Sequence, residues 1–209
     1  MFALDRTGLL VFGFSSNTKI SFLCSNSLNC PMQLPKLKRY VISGPPGSGK
    51  TALLNAFKSD LVFCFEEISR SITAEAQKNG REQPFLTDPM AFSKLLFESR
   101  VAQFNHPHQA PYHLYDRGIH DVIGYLDGIG EACPENFATL ARIHTYDKVF
   151  LLPPWEDIYT QDAERYETYE QAVKIHLHLM AVYNRFSMPI VEVPKTSVDR
   201  RIEFIKSHF

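Results

Sequence analysis

The feature that most constrains this sequence is the run Gly44-Pro-Pro-Gly-Ser-Gly-Lys50-Thr51, which matches the pattern G-x-x-x-x-G-K-[ST] of phosphate-binding loops in full. A β-type apolar run stands directly before it at 40–43, and a helical stretch begins directly after it. A phosphate-binding loop needs this order of strand, loop and helix. The run therefore predicts an α/β fold in which the loop follows a strand of a parallel sheet.

The remainder of the chain continues this alternation of short apolar runs and helical stretches, which predicts βαβ units. At 209 residues the chain is long enough for one α/β domain with a substantial core. Five strands are predicted, at 40–43, 61–65, 112–115, 148–152 and 190–193. Helices are predicted at 50–57, 67–78, from 89, at 119–126, 134–144 and about 164–186, and from 198. Asp88 is expected to cap the third helix, and 196–199 to form a capping box on the last.

The residues of the loop have separate roles in binding a nucleoside triphosphate. Its glycines allow a close approach that a Cβ would prevent, so backbone N–H groups can face phosphate oxygens. Lys50 is expected to be an exposed, mobile side chain that reaches the β- and γ-phosphates, and Thr51 offers its hydroxyl to Mg²⁺. The predicted nucleotide-binding residues are Gly44, Gly47, Ser48, Gly49, Lys50 and Thr51.

Acidic residues follow two of the predicted strands. Asp116 closes the third strand and is predicted to hold Mg²⁺ directly or through water. The alternative for Asp116 is a turn or cap aspartate before Gly118. Glu67 follows the second strand, at the sheet edge where ligands of open α/β folds bind. It is predicted to act on the hydroxyl of a phosphoryl acceptor.

Three arginines complete the candidate site. Arg70 lies three residues after Glu67, so the pair could orient an acceptor together or form a surface ion pair. Arg117 could clamp a substrate phosphate or form a buried ion pair. The polar segment at 151–168 could close over the triphosphate and bring Arg165 to the transferring group, whereas the alternative for Arg165 is a solvated helix residue. Trp155 is interpreted as a packing anchor at the base of this lid.

Charge and composition exclude several classes of partner. Lys and Arg number 22 against 23 Asp and Glu, so the net charge is -1 and indicates no nonspecific nucleic-acid binding. No apolar run approaches the roughly 18 residues of a membrane span. Scattered cysteines favour a reduced, cytoplasmic setting. Residues 1–35 are predicted to be an extension, either disordered, a short hairpin or a mis-assigned start with Met32 as the first residue, and 36–209 to be the domain.

These motifs together resemble one known family. The run GPPGSGKT, the E-x-x-R after the second strand, the YDRG strand end and the stretch FLLPPW-x-x-IY-x-x-D-x-ER-x-E are similar to an AAA-domain family of predicted ATPases. That family includes the ribosylnicotinamide kinase domain of the bacterial NAD regulator and a fly GTP-binding regulator of TRP-channel trafficking. The resemblance covers about 38–209. It implies a three-layer, kinase-like P-loop fold with strand order 2-3-1-4-5, a lid, and an adenine pocket near 194–197.

Two functions from different classes fit these residues. The first is a kinase that moves the γ-phosphate of ATP, with Mg²⁺, to a small nucleoside-like acceptor. The second is a nucleotide-dependent regulatory ATPase or GTPase switch that has no small-molecule acceptor. ATP is preferred over GTP because the chain has no N-K-x-D motif for reading guanine. Neither the acceptor nor the oligomeric state follows from the sequence.

Overall fold

Parallel strands form the centre of the protein in a computed structural model, which describes residues 36–57, 59–78, 84–159 and 167–209. The predicted extension at 1–35 and Arg165 lie outside these described residues. The strands are β1 (Lys38–Ser43), β2 (Val62–Phe65), β3 (Tyr112–Asp116), β4 (Lys148–Leu151) and β5 (Ile190–Glu192). All pairings are parallel, and the order in the sheet is β2-β3-β1-β4-β5. This confirms the predicted fold class, including the strand order that the family resemblance implied.

Helices connect the strands, and most begin within two residues of the predicted position. They are α1 (Lys50–Ala56), α2 (Ile68–Lys78), α3 (Pro84–Thr87), α4 (Pro89–Asn105), α5 (Ile119–Ile129), α6 (Glu135–Ile143), α7 (Tyr169–Arg185) and α8 (Val198–Lys206). A short 3₁₀ turn covers Glu156–Ile158. Across the described part of the chain, none of these helices has both the length and the apolarity that a membrane crossing demands.

Side chains of the sheet alternate between two cores, one on each face. From β1, Val41 enters the core formed with α4, α5 and α7, whereas Ile42 enters the core formed with α1 and α8. Phe97, Ile123 and Tyr183 are among the helix residues that cover the first face. Leu53 and Ile205 are among those that cover the second face. Helices therefore lie on both sides of the sheet and make the fold a three-layer structure.

One predicted helix start and one predicted cap need correction. Residues 167 and 168 are not helical, so α7 begins at Tyr169 and not at about 164. Thr168 caps it, because its hydroxyl accepts from Gln171 N at 3.3 Å while Gln171 Oε1 accepts from Thr168 N at 2.6 Å. The predicted capping box on α8 is also wrong, since Ser197 is the N-cap and makes no side-chain cap bond. The predicted cap at Asp88 is confirmed, with Ala91 N donating to Asp88 Oδ1 at 2.9 Å.

His120 on α5 is a fully buried histidine that packs against α6 and the end of α7. Its Nε2 lies 3.1 Å from the Ala141 carbonyl oxygen, and its ring contacts the aromatic rings of Tyr146 and Phe186. Burial lowers the pKa of His120 to about 4, against a smaller opposing effect of the bond to Ala141. The native protein therefore keeps this ring neutral at pH values where an unfolded chain would protonate it.

This difference predicts a pH-dependent stability. An unfolded histidine has a pKa of about 6.5, so at lower pH the unfolded chain takes up a proton that the native state does not. The free energy of unfolding should fall by about 2 kcal/mol from this group between about pH 7 and about pH 5. Urea unfolding of His120→Asn should show a correspondingly weaker pH slope than the wild type. His106→Asn, at an exposed histidine, should keep the full slope, and an unchanged slope in His120→Asn would contradict the assignment.

Candidate active site

The carboxyl ends of the strands bring the candidate residues to one edge of the sheet. Ile42 of β1 stands opposite Asp116 of β3, and Phe65 of β2 stands opposite Tyr115. Arg117 N then donates to the Ile42 carbonyl at 3.0 Å and extends the pairing by one residue. The phosphate-binding loop, the segment after β2 and the segment after β3 therefore begin side by side.

The loop after β1 has the backbone that its glycines predicted. Gly47 and Gly49 have φ of 75° and 87°, in the left-handed region that favours glycine. At Gly47 a Cβ would also lie 2.7 Å from Tyr159 Cδ2, so a side chain there would displace the tyrosine ring. Tyr159 directly follows the 3₁₀ turn. The part of the predicted lid that the structure describes therefore packs on the phosphate-binding loop, through the Tyr159 ring at Gly47.

Lys50 is buried, which corrects the expectation of an exposed loop lysine. Only 7% of the residue is accessible, and its Nζ donates to the carbonyl oxygens of Gly44 at 2.9 Å and Pro45 at 2.8 Å. Burial and the nearby Arg117 guanidinium lower the pKa of Lys50 to about 7, against the opposing effect of Asp116. The ammonium group thus lies inside the loop at the place where phosphate oxygens would bind.

Arg117 contacts three parts of the site. Its Nε donates to Glu67 Oε1 at 2.9 Å, and its NH1 donates to the Gly44 carbonyl at 3.2 Å and lies 3.6 Å from Asp121 Oδ1. Its φ of 69° is unusual for a residue with a side chain. Burial opposes its charge, but Glu67 and Asp121 raise the pKa of Arg117 above its ordinary value. Of the two alternatives for Arg117, this structure contains the buried ion pair.

Glu67 precedes α2 and is held between two arginines. Arg70 Nε donates to Glu67 Oε2 at 3.3 Å, so the predicted pair at three-residue spacing forms, and Arg70 NH2 lies 3.5 Å from Thr51 Oγ1. Burial by itself would raise the pKa of Glu67, but Arg117 and Lys50 outweigh it and hold that pKa at about 2. The carboxylate is therefore ionised and a weak base, better suited to orienting a hydroxyl than to removing its proton.

Asp116 has the properties of a residue that binds a cation. It is 6% exposed, and its Oδ1 is buried without a hydrogen-bond partner among the described residues. Burial, together with the charge of Glu67, raises the pKa of Asp116. An unpartnered buried carboxylate oxygen, on a residue whose charge acts on Lys50 of the loop, fits Mg²⁺, which takes few protein ligands and completes its shell with phosphates and water.

Sequence reasoning missed two buried charged residues at this edge. Asp121 on α5 accepts hydrogen bonds from Ser43, Gly118 N and Tyr183. Arg100 on α4 is 3% exposed and donates from NH1 to the Gly118 carbonyl at 2.8 Å. Asp121 carried a usable signal, because an acidic residue in the first turn of a helix commonly caps it. Arg100 carried no such signal, since an arginine within a helical stretch is usually a solvent-exposed residue of the helix surface.

Arg201 links the base of the predicted lid to the phosphate-binding loop. The Arg201 guanidinium of α8 lies 4.6 Å from the centre of the Trp155 ring, and its NH1 donates to the Ser48 carbonyl at 3.2 Å. Trp155 therefore packs beneath an arginine, in agreement with its interpretation as an anchor. Sequence reasoning missed Arg201, whose contact with the loop spans more than half of the chain.

Comparisons with known proteins agree with this geometry. A family model described as an AAA domain matches residues 39–201. No curated protein matches the chain in sequence. Among solved structures, deoxyadenosine kinase from M. mycoides with dCMP and dCDP bound aligns with a TM-score of 0.57 at 14% identity, over 81% of this chain and 97% of the kinase.

A second structure of that kinase, with dATP bound, gives a TM-score of 0.57 at 14% identity, over 82% of this chain and 98% of the kinase. Thymidylate kinase from Ehrlichia chaffeensis aligns with a TM-score of 0.58 at 16% identity, over 84% of this chain and all of the kinase (100%). At these identities the likeness to the solved structures shows the fold alone.

The loop assignment predicts the behaviour of Lys50→Ala. The variant should lose the stabilisation by Mg-ATP, which in the wild type should reach about 2.7 kcal/mol at 100 times the dissociation constant. Because Lys50 is buried against two carbonyl oxygens, the unliganded variant should also be less stable by about 1 kcal/mol. Thermal melting with and without Mg-ATP measures both effects. Lys94→Ala, at an exposed lysine of α4, is the control, and a wild-type melting shift in Lys50→Ala would refute the loop assignment.

Proposed function

We propose that this chain, which belongs to the AAA-domain family, is a magnesium-dependent kinase that moves the γ-phosphate of ATP to a nucleoside-like acceptor. The observation that carries the proposal is the position of the Glu67 carboxylate between Arg117 and Arg70. Both arginines also reach the phosphate-binding loop, at the Gly44 carbonyl and at Thr51 Oγ1. An acceptor hydroxyl bound to Glu67 would therefore face the end of the triphosphate.

The proposed chemistry divides among residues that lie at this edge of the sheet. Lys50 would move from the loop carbonyls to the β- and γ-phosphate oxygens. Thr51 and Asp116 would hold Mg²⁺, which neutralises charge on the phosphates when bound. Arg117 would turn from Glu67 towards the transferring group, which frees the carboxylate to accept a hydrogen bond from the acceptor. Positioning and charge stabilisation provide most of the catalysis in such transfers.

A nucleotide-dependent switch is the second candidate, and one observation favours it. Glu67 is tied to Arg117 and its pKa is about 2, whereas an efficient general base has a pKa near the working pH. This objection is weakened by the loose transition state of phosphoryl transfer, in which bond formation to the acceptor is not advanced. A carboxylate that orients the hydroxyl is then sufficient. The two arginines that pair with Glu67 therefore favour the kinase over the switch.

Acceptor and donor classes are proposed from different observations. Both structural neighbours are enzymes of nucleosides or nucleotides, which supports a nucleoside-like acceptor in a fold of the same type. For the donor we propose ATP, with the adenine near 194–197, where the chain passes from β5 into α8. The cytoplasm is the proposed compartment, in agreement with free thiols at Cys64 and Cys133.

A transfer assay separates the two candidates. Purified protein is incubated with γ-labelled ATP, Mg²⁺ and separate nucleosides and nucleoside monophosphates, and the products are resolved by chromatography. A kinase places the label on one acceptor class, whereas a switch releases it only as inorganic phosphate. Label confined to inorganic phosphate across the whole panel would reject the nucleoside-like acceptor.

Glu67→Gln tests the acceptor role directly. The amide keeps the size of the side chain and removes its charge, which weakens the charge-assisted hydrogen bond that would orient the acceptor hydroxyl, so transfer should fall by about 100-fold or more while Mg-ATP affinity is retained. Glu66→Gln is a matched control, because Glu66 is the exposed neighbour in the chain and should be neutral. Rates of label transfer and calorimetric titration with Mg-ATP measure the two effects. Unchanged transfer in Glu67→Gln would remove Glu67 from the reaction.

Arg165 remains a predicted lid residue. Arg165→Ala should lower turnover about 100-fold or more and leave Mg-ATP affinity nearly unchanged, because a lid arginine acts on charge that develops in the transition state. Steady-state kinetics with varied ATP separate kcat from KM. Arg142→Ala, at an exposed arginine of α6, is the control. A loss of affinity with unchanged turnover would assign Arg165 to ground-state binding.

A further inference from the structure

A buried carboxylate with no role so far, Asp121, lies behind Arg117. The residue is 4% exposed and belongs to the first turn of α5. Its Oδ1 accepts from the Ser43 hydroxyl, and its Oδ2 accepts from Gly118 N at 2.8 Å and from the Tyr183 hydroxyl. Donors from the end of β1, the start of α5 and the last turn of α7 therefore hold this carboxylate in place.

This arrangement depends on the absence of a side chain at position 118. A Cβ on Gly118 would lie 2.7 Å from the Tyr183 hydroxyl oxygen, too close for the tyrosine to reach Asp121. The Tyr183 residue is fully buried, so it has no room to withdraw. Asp121 is thus supported by packing as well as by hydrogen bonds, and its oxygens point in fixed directions.

The fixed carboxylate shares the Arg117 guanidinium with Glu67. Arg117 lies 2.9 Å from Glu67 Oε1 and 3.6 Å from Asp121 Oδ1, through different nitrogen atoms. A guanidinium group has five N–H donors in a planar fork, so it can change one partner while it keeps another. The Glu67 side chain is 16% exposed, whereas that of Asp121 is 3% exposed, so the more deeply buried Asp121 can remain in contact when Arg117 turns.

We propose that Asp121 is a positioning residue that retains the Arg117 guanidinium in the site when Arg117 releases Glu67 to meet a substrate phosphate. This inference rests on the proposed function. In the structure Glu67 and Arg117 are paired with each other, so neither is free to bind a substrate. Because Asp121 is a second carboxylate beside Arg117, the Glu67–Arg117 pair can separate without leaving the buried guanidinium without an opposite charge. The partner that Arg117 keeps, Asp121, belongs to α5, which begins at the same edge of the sheet as the candidate site.

Asp121→Asn tests the proposal with minimal change of shape. A displacement of about 1 Å in a catalytic group can cost about 100-fold, so kcat should fall by about 10-fold to about 100-fold while KM for ATP stays within about 2-fold. Asp127→Asn makes the same substitution at a half-buried carboxylate of α5 that pairs with Arg185 at 2.9 Å, away from Arg117, and it should leave both constants unchanged.

Tyr183→Phe separates positioning of Arg117 from general support of the fold. It removes one hydrogen bond to Asp121 but keeps the carboxylate charge, so its effect on kcat should be several times smaller than that of Asp121→Asn. Melting temperatures of both variants are measured, and kinetics are run well below the lower one. Equal losses of kcat in the two variants, or a loss of affinity with kcat unchanged, would overturn the proposal.

A second measurement does not depend on any transfer activity. The Arg117 Nε–H resonance, assigned with Arg117→Lys, is followed by ¹⁵N NMR in the free protein and with Mg²⁺ and a non-hydrolysable ATP analogue. The proposal expects a resolved resonance in the wild type in both states and its loss in nucleotide-bound Asp121→Asn. An unaltered resonance in that variant would overturn the role of Asp121. Absence of label transfer by the wild type would instead overturn the kinase and leave this measurement valid.

Discussion

The candidate site depends on the position of β1 between β3 and β4 in an all-parallel sheet. Because all strands run in one direction, the segments that follow them emerge at the same edge, where helix N-termini also point. The consequence is a contact between Arg117 and Gly44, which are 73 residues apart in the chain. The loop, the carboxylate proposed to hold Mg²⁺ and the residues proposed to bind an acceptor owe their proximity to this pairing.

Buried charges at this edge explain the chemistry that the site can support. A charged group that leaves water needs an opposite charge or several hydrogen bonds, and here Arg117 meets both Glu67 and Asp121. The same pairing keeps Glu67 ionised and makes it a weak base. For the proposed transfer, this arrangement favours orientation and electrostatic stabilisation over proton abstraction.

Residues from late in the chain pack against the phosphate-binding loop. Tyr159 lies on Gly47, and Arg201 joins Trp155 to the Ser48 carbonyl. The loop is thus supported by the segment after β4 and by α8 as well as by its own strand and helix. The fold shared with deoxyadenosine and thymidylate kinases describes this framework, whereas the choice of acceptor depends on side chains that a fold does not determine.

The sequence by itself determined the features whose cause is local. The loop was recognisable because its glycines and lysine stand in a fixed order between a strand and a helix, and the cap at Asp88 because it acts within one turn. Thr168 carried a local capping signal that the helical periodicity obscured. Strand boundaries were predictable to within about two residues, since short apolar runs bounded by turn residues encode them.

Only the tertiary structure decided which charges meet. Glu67 and Arg117 are 50 residues apart, and each could equally have faced solvent, a phosphate or another side chain. Their contact follows from strand order and register, and the burial of Lys50 follows from the loop folding around it. The partner of a buried charge depends on which strand ends meet and which helices cover them, and no local pattern of residues encodes that choice.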